Sequence, residues 1–269
     1  MPRVRGWVAG WLSLSACACL SIAPVAAQSP VTPSPRPDPK LVEELVAANR
    51  ILFDQGVVDG FGHVSVRHDK FPGRFLLARS MAPALVTAED ILEFDLEADA
   101  PDAKGRALYL ERFIHSAIYA ARPDVKAIVH SHSPALIPFG VTGAPLRPIY
   151  HMSSFLGSGV PVFDIRAVAG QTDMLVRSPA LGKALATTLG NHTVVLMRGH
   201  GSVAVGDSLP QVVFRAVYTE TNARLQAEAM KLGPVTYLDA EEARLSAQTN
   251  GAVVGRAWEL WKKKALSAN

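Results

Sequence analysis

A chain of 269 residues with 49% hydrophobic side chains is long enough for one domain with a substantial core. Its 27 Lys and Arg against 24 Asp and Glu leave a formal charge of +3. These charges are interspersed, so no basic block marks a nucleic-acid surface, while small anionic substrates suit the balance.

Arg3 and Arg5 precede an apolar run from about Gly6 to Ile22, and Val25-Ala26-Ala27 supplies the small residues of an export cleavage site. Residues 1–27 are therefore expected to form a signal peptide and the mature protein to be periplasmic. An uncleaved anchor and lipidation at Cys17 stay open as alternatives. The two cysteines, Cys17 and Cys19, both lie in this segment. Any metal site of the processed chain must then be built from nitrogen and oxygen. No later apolar run is long enough to cross a bilayer, so no membrane span is expected after processing.

Residues 28–39 contain SPVTPSPRPDP, a proline-rich linker with too little apolar content to fold, and the folded domain is expected over 40–269. Leu41, Leu45, Val46, Ile51 and Leu52 recur at helical spacing up to Gly56. Short β-like runs follow at His63–His68, Arg74–Ala78 and Ile91–Leu96, separated by turn residues. A helical pattern from Leu108 to Ala121 stops at Arg122-Pro123, and Lys126–His132 reads as a buried strand. Strands are predicted near Val160–Phe163 and Thr193–Met197. Helices are predicted at Pro179–Leu189 and at Leu209–Leu232, the second opened by Ser208 and Pro210. The stretch from Leu238 to Leu266 ends in a helix whose Trp258 and Trp261 pack on a core or a neighbouring subunit. This order, with no strict βαβ alternation and no glycine-rich nucleotide loop, predicts one layered α/β domain.

His130-Ser131-His132 is the most informative string, because residues two apart on a strand face one way and both imidazoles can meet one ion. Two surface histidines on an edge strand would look the same. His200, flanked by Gly199 and Gly201 beyond an apolar run, adds a third candidate where backbone and ligand can approach closely. Glu111 opens the preceding helix, where it either answers the helix dipole or reaches the same end of the sheet as fourth ligand. Three imidazoles and a carboxylate suit one divalent ion, and Zn, Mn and Fe all accept such donors.

A resemblance joins these pieces. Gly62-His63-Val64-Ser65-Val66-Arg67, then Glu111 with His115 and Tyr119, then Ala121-Arg122-Pro123-Asp124-Val125 leading to His130 and His132, and finally His200-Gly201, together resemble the class II aldolase/adducin family. The resemblance spans roughly Lys40 to Gly233. It implies a three-layer αβα fold around a central mixed, largely antiparallel sheet. It also implies metal binding by His130, His132 and His200, with Glu111 as acid/base and ligand. A homotetramer with sites at subunit contacts is implied as well.

Sugar-phosphate members of that family carry Gly-Asn-x-Ser, a Ser/Thr-Gly pair and Ser-Ser around the substrate phosphate. This chain has Gly62-His63-Val64-Ser65, Arg79-Ser80-Met81 and Tyr109-Leu110 instead. In this respect it is more similar to the family's decarboxylase branch. Arg79 and His63 are then expected to meet a carboxylate or phenolate, an Arg fork suiting planar anions. Ser80, Tyr150 and Tyr218 complete the expected substrate contacts, Tyr218 reaching a neighbouring subunit's site. The expected reaction is metal-dependent decarboxylation of a hydroxylated aromatic or dienoic carboxylic acid through a stabilised enolate. An aldolase acting on a non-phosphorylated substrate, a non-catalytic adducin-like scaffold and an iron oxygenase stay open beside it.

Overall fold

The computed structural model describes residues 36–267, together with 2, 3 and 6. The expected signal peptide and most of the linker therefore lie outside the described residues. Among those described, no helix is long and apolar enough to cross a membrane.

The helices are α1 (Pro39–Asp54), α2 (Arg112–Ala121), α3 (Ile137–Val141), α4 (Arg166–Ala169), α5 (Pro179–Leu189), α6 (Leu209–Leu232), α7 (Ala240–Gly251) and α8 (Val254–Ser267). The strands are β1 (His63–Arg67), β2 (Arg74–Ala78), β3 (Ile91–Asp95), β4 (Ala127–Ser131), β5 (Val162–Phe163), β6 (Val194–Met197) and β7 (Gly201–Gly206). Local chemistry starts several helices: Asp38, Ser178 and Ser208 each accept a first-turn backbone N–H, and each is followed by proline within two positions. At α7, Asp239 and Glu242 form a reciprocal capping box.

One sheet of seven strands runs β3-β2-β1-β4-β7-β6-β5. All neighbours are antiparallel except β5 with β6. Period-two alternation divides its side chains between two layers. On one face Val64, Val66, Ala127, Val129 and Ala204 pack under α1, α6 and α8, with Trp258 and Trp261 buried there. On the other, Phe75, Ile128, Val195, Met197, Val203 and Val205 pack against Ile114 and Ile118 of α2 and Leu185 of α5. The result is a three-layer αβα domain around a mixed, largely antiparallel sheet.

The elements differ from expectation at three places. The second helix begins at Arg112, four residues after Leu108, with Glu111 at its N-cap position. The stretch from Leu238 ends in the expected helix, α8, and carries a further helix, α7, before it. Strand β7 was not expected at all. Its run Gly-Ser-Val-Ala-Val-Gly is short and flanked by glycines, and its strand character comes from pairing on both sides, with β4 and β6.

Gly201 is the tightest point of that pairing, since a Cβ there would lie 2.0 Å from the Ser131 carbonyl oxygen and 3.1 Å from His132 Cα. Gly201→Ala should therefore push β7 from β4 and cost about 2 kcal/mol or more in chemical denaturation. Gly73→Ala, where a Cβ meets nothing within 4 Å, should change stability by less than about 1 kcal/mol.

Candidate metal centre

Strand β4 delivers His130 at its C-terminal end, and His132 follows one residue past Ser131. His200 arrives from the β6–β7 turn, where Gly199 adopts φ +63° and the His200 N–H closes on the Met197 carbonyl. Glu111 comes from the start of α2. It makes no capping hydrogen bond; instead its Oε1 accepts the Val176 backbone N–H at 2.8 Å, turning Oε2 toward the histidines.

Donor atoms of Glu111, His130, His132 and His200 all lie within 4.8 Å of one another. His132 Nε2 is 3.1 Å from His130 Nε2 and 3.0 Å from His200 Nε2. Glu111 Oε2 is 3.4 Å from His130 Nε2 and 3.3 Å from His200 Nε2. Ligands of a tetrahedral zinc ion, each roughly 2.1 Å from it, stand about 3.4 Å apart, so the spacing fits one first-row divalent ion.

The ring tautomers agree. His130 Nδ1 lies 3.0 Å from the Ser202 carbonyl and His200 Nδ1 lies 3.1 Å from the Met174 carbonyl. A carbonyl only accepts, so each Nδ1 carries the proton and each Nε2 offers a lone pair to the centre.

Electrostatics keep Glu111 and His132 in ligating form and draw His200 toward its protonated form. Burial raises Glu111, but hydrogen bonds and charge from His130 and His200 outweigh it and hold the carboxyl far below the usual carboxylate range. Burial, then His130 and His200, depress His132 to about 4. Burial would lower His200 also, yet its contact with Glu111 raises it overall.

A cavity of about 420 Å³ opens beside this cluster. His63, Ser80, Tyr109, Glu111 and His132 line it, with Phe61 and Leu110 at its exposed apolar edge. The structure thus brings His63 and Ser80 together with the metal-ligand candidates. Arg79 is placed elsewhere: its Nε donates to Asp90 Oδ1 at 2.6 Å, and it does not line the cavity. Tyr150 and Tyr218 lie together in an aromatic cluster with Phe214 and Trp261, also away from the cavity lining. Tyr109 was not singled out as a site residue, although its ring stands 4.6 Å from His63. The signal was present in the replacement of Ser-Ser by Tyr109-Leu110 before Glu111.

Behind His63 lies a fully buried histidine, His115, depressed to about 3 by burial and then by the charge of His130. An unfolded histidine titrates near 6.5, so below that pH the unfolded chain takes a proton that folded His115 refuses. Stability from this group is complete above about pH 6.5 and declines toward pH 3, by at most about 1.4 kcal/mol per pH unit. Urea denaturation at pH 7 and pH 5 should show that decline, and His115→Asn should make it shallower.

Residues 43–227 match the Class II Aldolase and Adducin N-terminal domain. The chain is 36% identical over 247 residues to decarboxylase tropJ of Talaromyces stipitatus, covering 83% of this chain and 93% of that protein. It is 33% identical over 208 residues to a 3,4-dihydroxyphthalate decarboxylase of Rhodococcus jostii, covering 73% and 82%. Among solved structures, L-fuculose 1-phosphate aldolase from Glaciozyma antarctica superposes with a TM-score of 0.68 at 25% identity, covering 85% of this chain and 88% of the aldolase. The chain belongs to the class II aldolase and adducin family, among its carbon–carbon lyases.

Proposed function

We propose that this protein is a divalent-metal-dependent decarboxylase of a hydroxylated aromatic or dienoic carboxylic acid. The observation that carries the reading is the four-donor cluster opening on a cavity lined by His63, Ser80 and Tyr109. The decarboxylase names of the 36% and 33% identical relatives support it. The relative named for 3,4-dihydroxyphthalate suggests an ortho-hydroxy carboxylate as the substrate pattern.

His130, His132 and His200 would hold the ion with Glu111 beside them, and zinc, manganese and iron all suit these donors. When bound, the ion supplies positive charge that stabilises negative charge developing on a substrate oxygen. The residues do the rest. Phe61 and Leu110 form an apolar mouth that keeps water from the bound ring, while Ser80 and His63 orient the polar substituents. As the carbon–carboxylate bond breaks, its electron pair passes into the substrate's own conjugated system. Glu111, ionised at rest, takes a proton from a water or a substrate hydroxyl and returns it to the carbon that lost carbon dioxide.

The proposal includes a homotetramer with sites at subunit contacts. Phe61 and Leu110, 69% and 55% exposed at the cavity mouth, are apolar surface that a second subunit would cover. Tyr218 of one subunit would then reach the site of another, and sedimentation should give four chains per particle. The periplasmic location rests on residues 1–27, and a reporter fused after them should be exported.

Metal-loaded protein should release carbon dioxide from members of a panel of ortho-hydroxy carboxylates. Glu111→Gln should lower that rate by about 10²-fold or more while still folding. His132→Ala should lose both turnover and bound metal by elemental analysis. Release of an aldehyde from an aldol substrate, with no carbon dioxide from any acid, would move the assignment to a non-phosphorylated aldolase.

A further inference from the structure

A line of buried polar groups runs inward from the cavity and has no part in holding the ion. His63 Nδ1 lies 2.6 Å from His115 Nε2. His115 Nδ1 lies 2.6 Å from Ser65 Oγ, and Ser65 Oγ lies 2.8 Å from the Tyr119 hydroxyl. That hydroxyl can donate onward to the Lys126 carbonyl at 3.4 Å. All four side chains are buried. The Arg67 guanidinium lies 4.6 Å from the Tyr119 ring and closes the inner end. At the outer end His63 lines the cavity, and its Nε2 meets no partner among the described residues.

The chain contains four mobile protons when all its members are neutral: one on each hydroxyl and one on each ring. Two orientations are available. If each proton points inward, Tyr119 donates to the Lys126 carbonyl, Ser65 to Tyr119, His115 Nδ1–H to Ser65, and His63 Nδ1–H to His115. Four protons then make four hydrogen bonds. If each points outward, the Lys126 carbonyl keeps only the Arg67 backbone N–H at 2.7 Å, and His63 Nε2–H faces the cavity with no acceptor among the described residues. Four protons then make only three bonds within the protein, the fourth being left to water in the cavity. In a buried network the fully satisfied orientation prevails, because each unmade bond is costly there and neighbouring bonds reinforce one another. The fixed point is the carbonyl, the one member that can never donate.

We propose that Tyr119, Ser65 and His115 form a one-directional hydrogen-bond chain that holds His63 as its Nδ1–H tautomer, presenting Nε2 to the cavity as an acceptor for a substrate hydroxyl. Tyr119, Ser65 and His115 are positioning residues, and His63 is the group that touches substrate. Burial pushes the Tyr119 hydroxyl upward, so it stays a phenol and the chain orients protons without supplying one. A ligand bearing a hydroxyl donor is accepted, and one bearing an ether oxygen at the same place meets a lone pair. This selection rests on the proposed substrate class, but the tautomer does not.

Long-range proton–nitrogen correlation spectra of the zinc-loaded, nitrogen-labelled full chain read the tautomer directly, with His63→Gln identifying the signals. The expected pattern is a protonated Nδ1 and a bare Nε2 on both His63 and His115. A proton on His63 Nε2 overturns the proposal. Tyr119→Phe should let both His63 tautomers appear; should that variant not fold, the unmodified protein already decides. Calorimetry with 2-hydroxybenzoate and 2-methoxybenzoate tests the reading of the hydroxyl. The preference for the hydroxyl ligand should shrink by about threefold to tenfold in His63→Leu, the value of one net hydrogen bond. An unchanged preference would overturn that role. Neither measurement uses turnover, so a protein that fails to release carbon dioxide can still support or defeat the chain.

Discussion

His130 and His200 commit their Nδ1 protons to backbone carbonyls, and the remaining lone pairs are left facing His132 across 3.1 and 3.0 Å. Unshared pairs this close repel, and the ionised Glu111 3.3 Å from His200 adds a negative charge. A divalent cation that accepts nitrogen and oxygen donors would balance the arrangement. Neither carbonyl can move without altering the direction of a lone pair. The metal centre is therefore specified as much by backbone as by side chain.

The sheet accounts for that backbone precision. Ser202, whose carbonyl orients His130, sits on β7 opposite Ser131, and the absence of a side chain at Gly201 lets the two strands approach there. On the other side of β4, His63 pairs directly with His130 in the register of β1. The ion-binding rings and the His63 chain thus stand on neighbouring strands, and both depend on the same register. A slip of one residue would turn His130 into the α6 layer and the valines into the cavity.

Features governed by local chemistry were legible in the sequence. Ser208 with Pro210 marks a helix start, and the spacing of His130 and His132 marks a shared strand face. What depended on distant partners was not. Strand β7 has the composition of a glycine-bounded loop and becomes a strand only between β4 and β6. Glu111 had two readings, and the Val176 N–H, far along the chain, is what turns its carboxylate to the histidines. Arg79 shares a loop with Ser80, yet Asp90 lies close enough to capture its guanidinium while Ser80 reaches the cavity. No pattern within the loop separates those two fates. Tyr150 and Tyr218 belong to the opposite layer, and only a second subunit would relate them to a cavity.

The position of His63 shows how one side chain can alter what a shared scaffold recognises. An amide at such a site has a donor end and an acceptor end on one carbon, so whichever atom meets the cavity can be chosen by a simple flip. An imidazole instead separates its two nitrogens across a ring. Here one nitrogen reaches inward to His115 while the other meets the cavity, and the character of the outer atom follows from partners it never touches. Recognition is then set in the dry interior, where competing water is absent and each hydrogen bond is strongest. The interior then fixes the acceptor while the cavity wall supplies shape, a division that would suit selection among hydroxylated acids, the proposed substrate class.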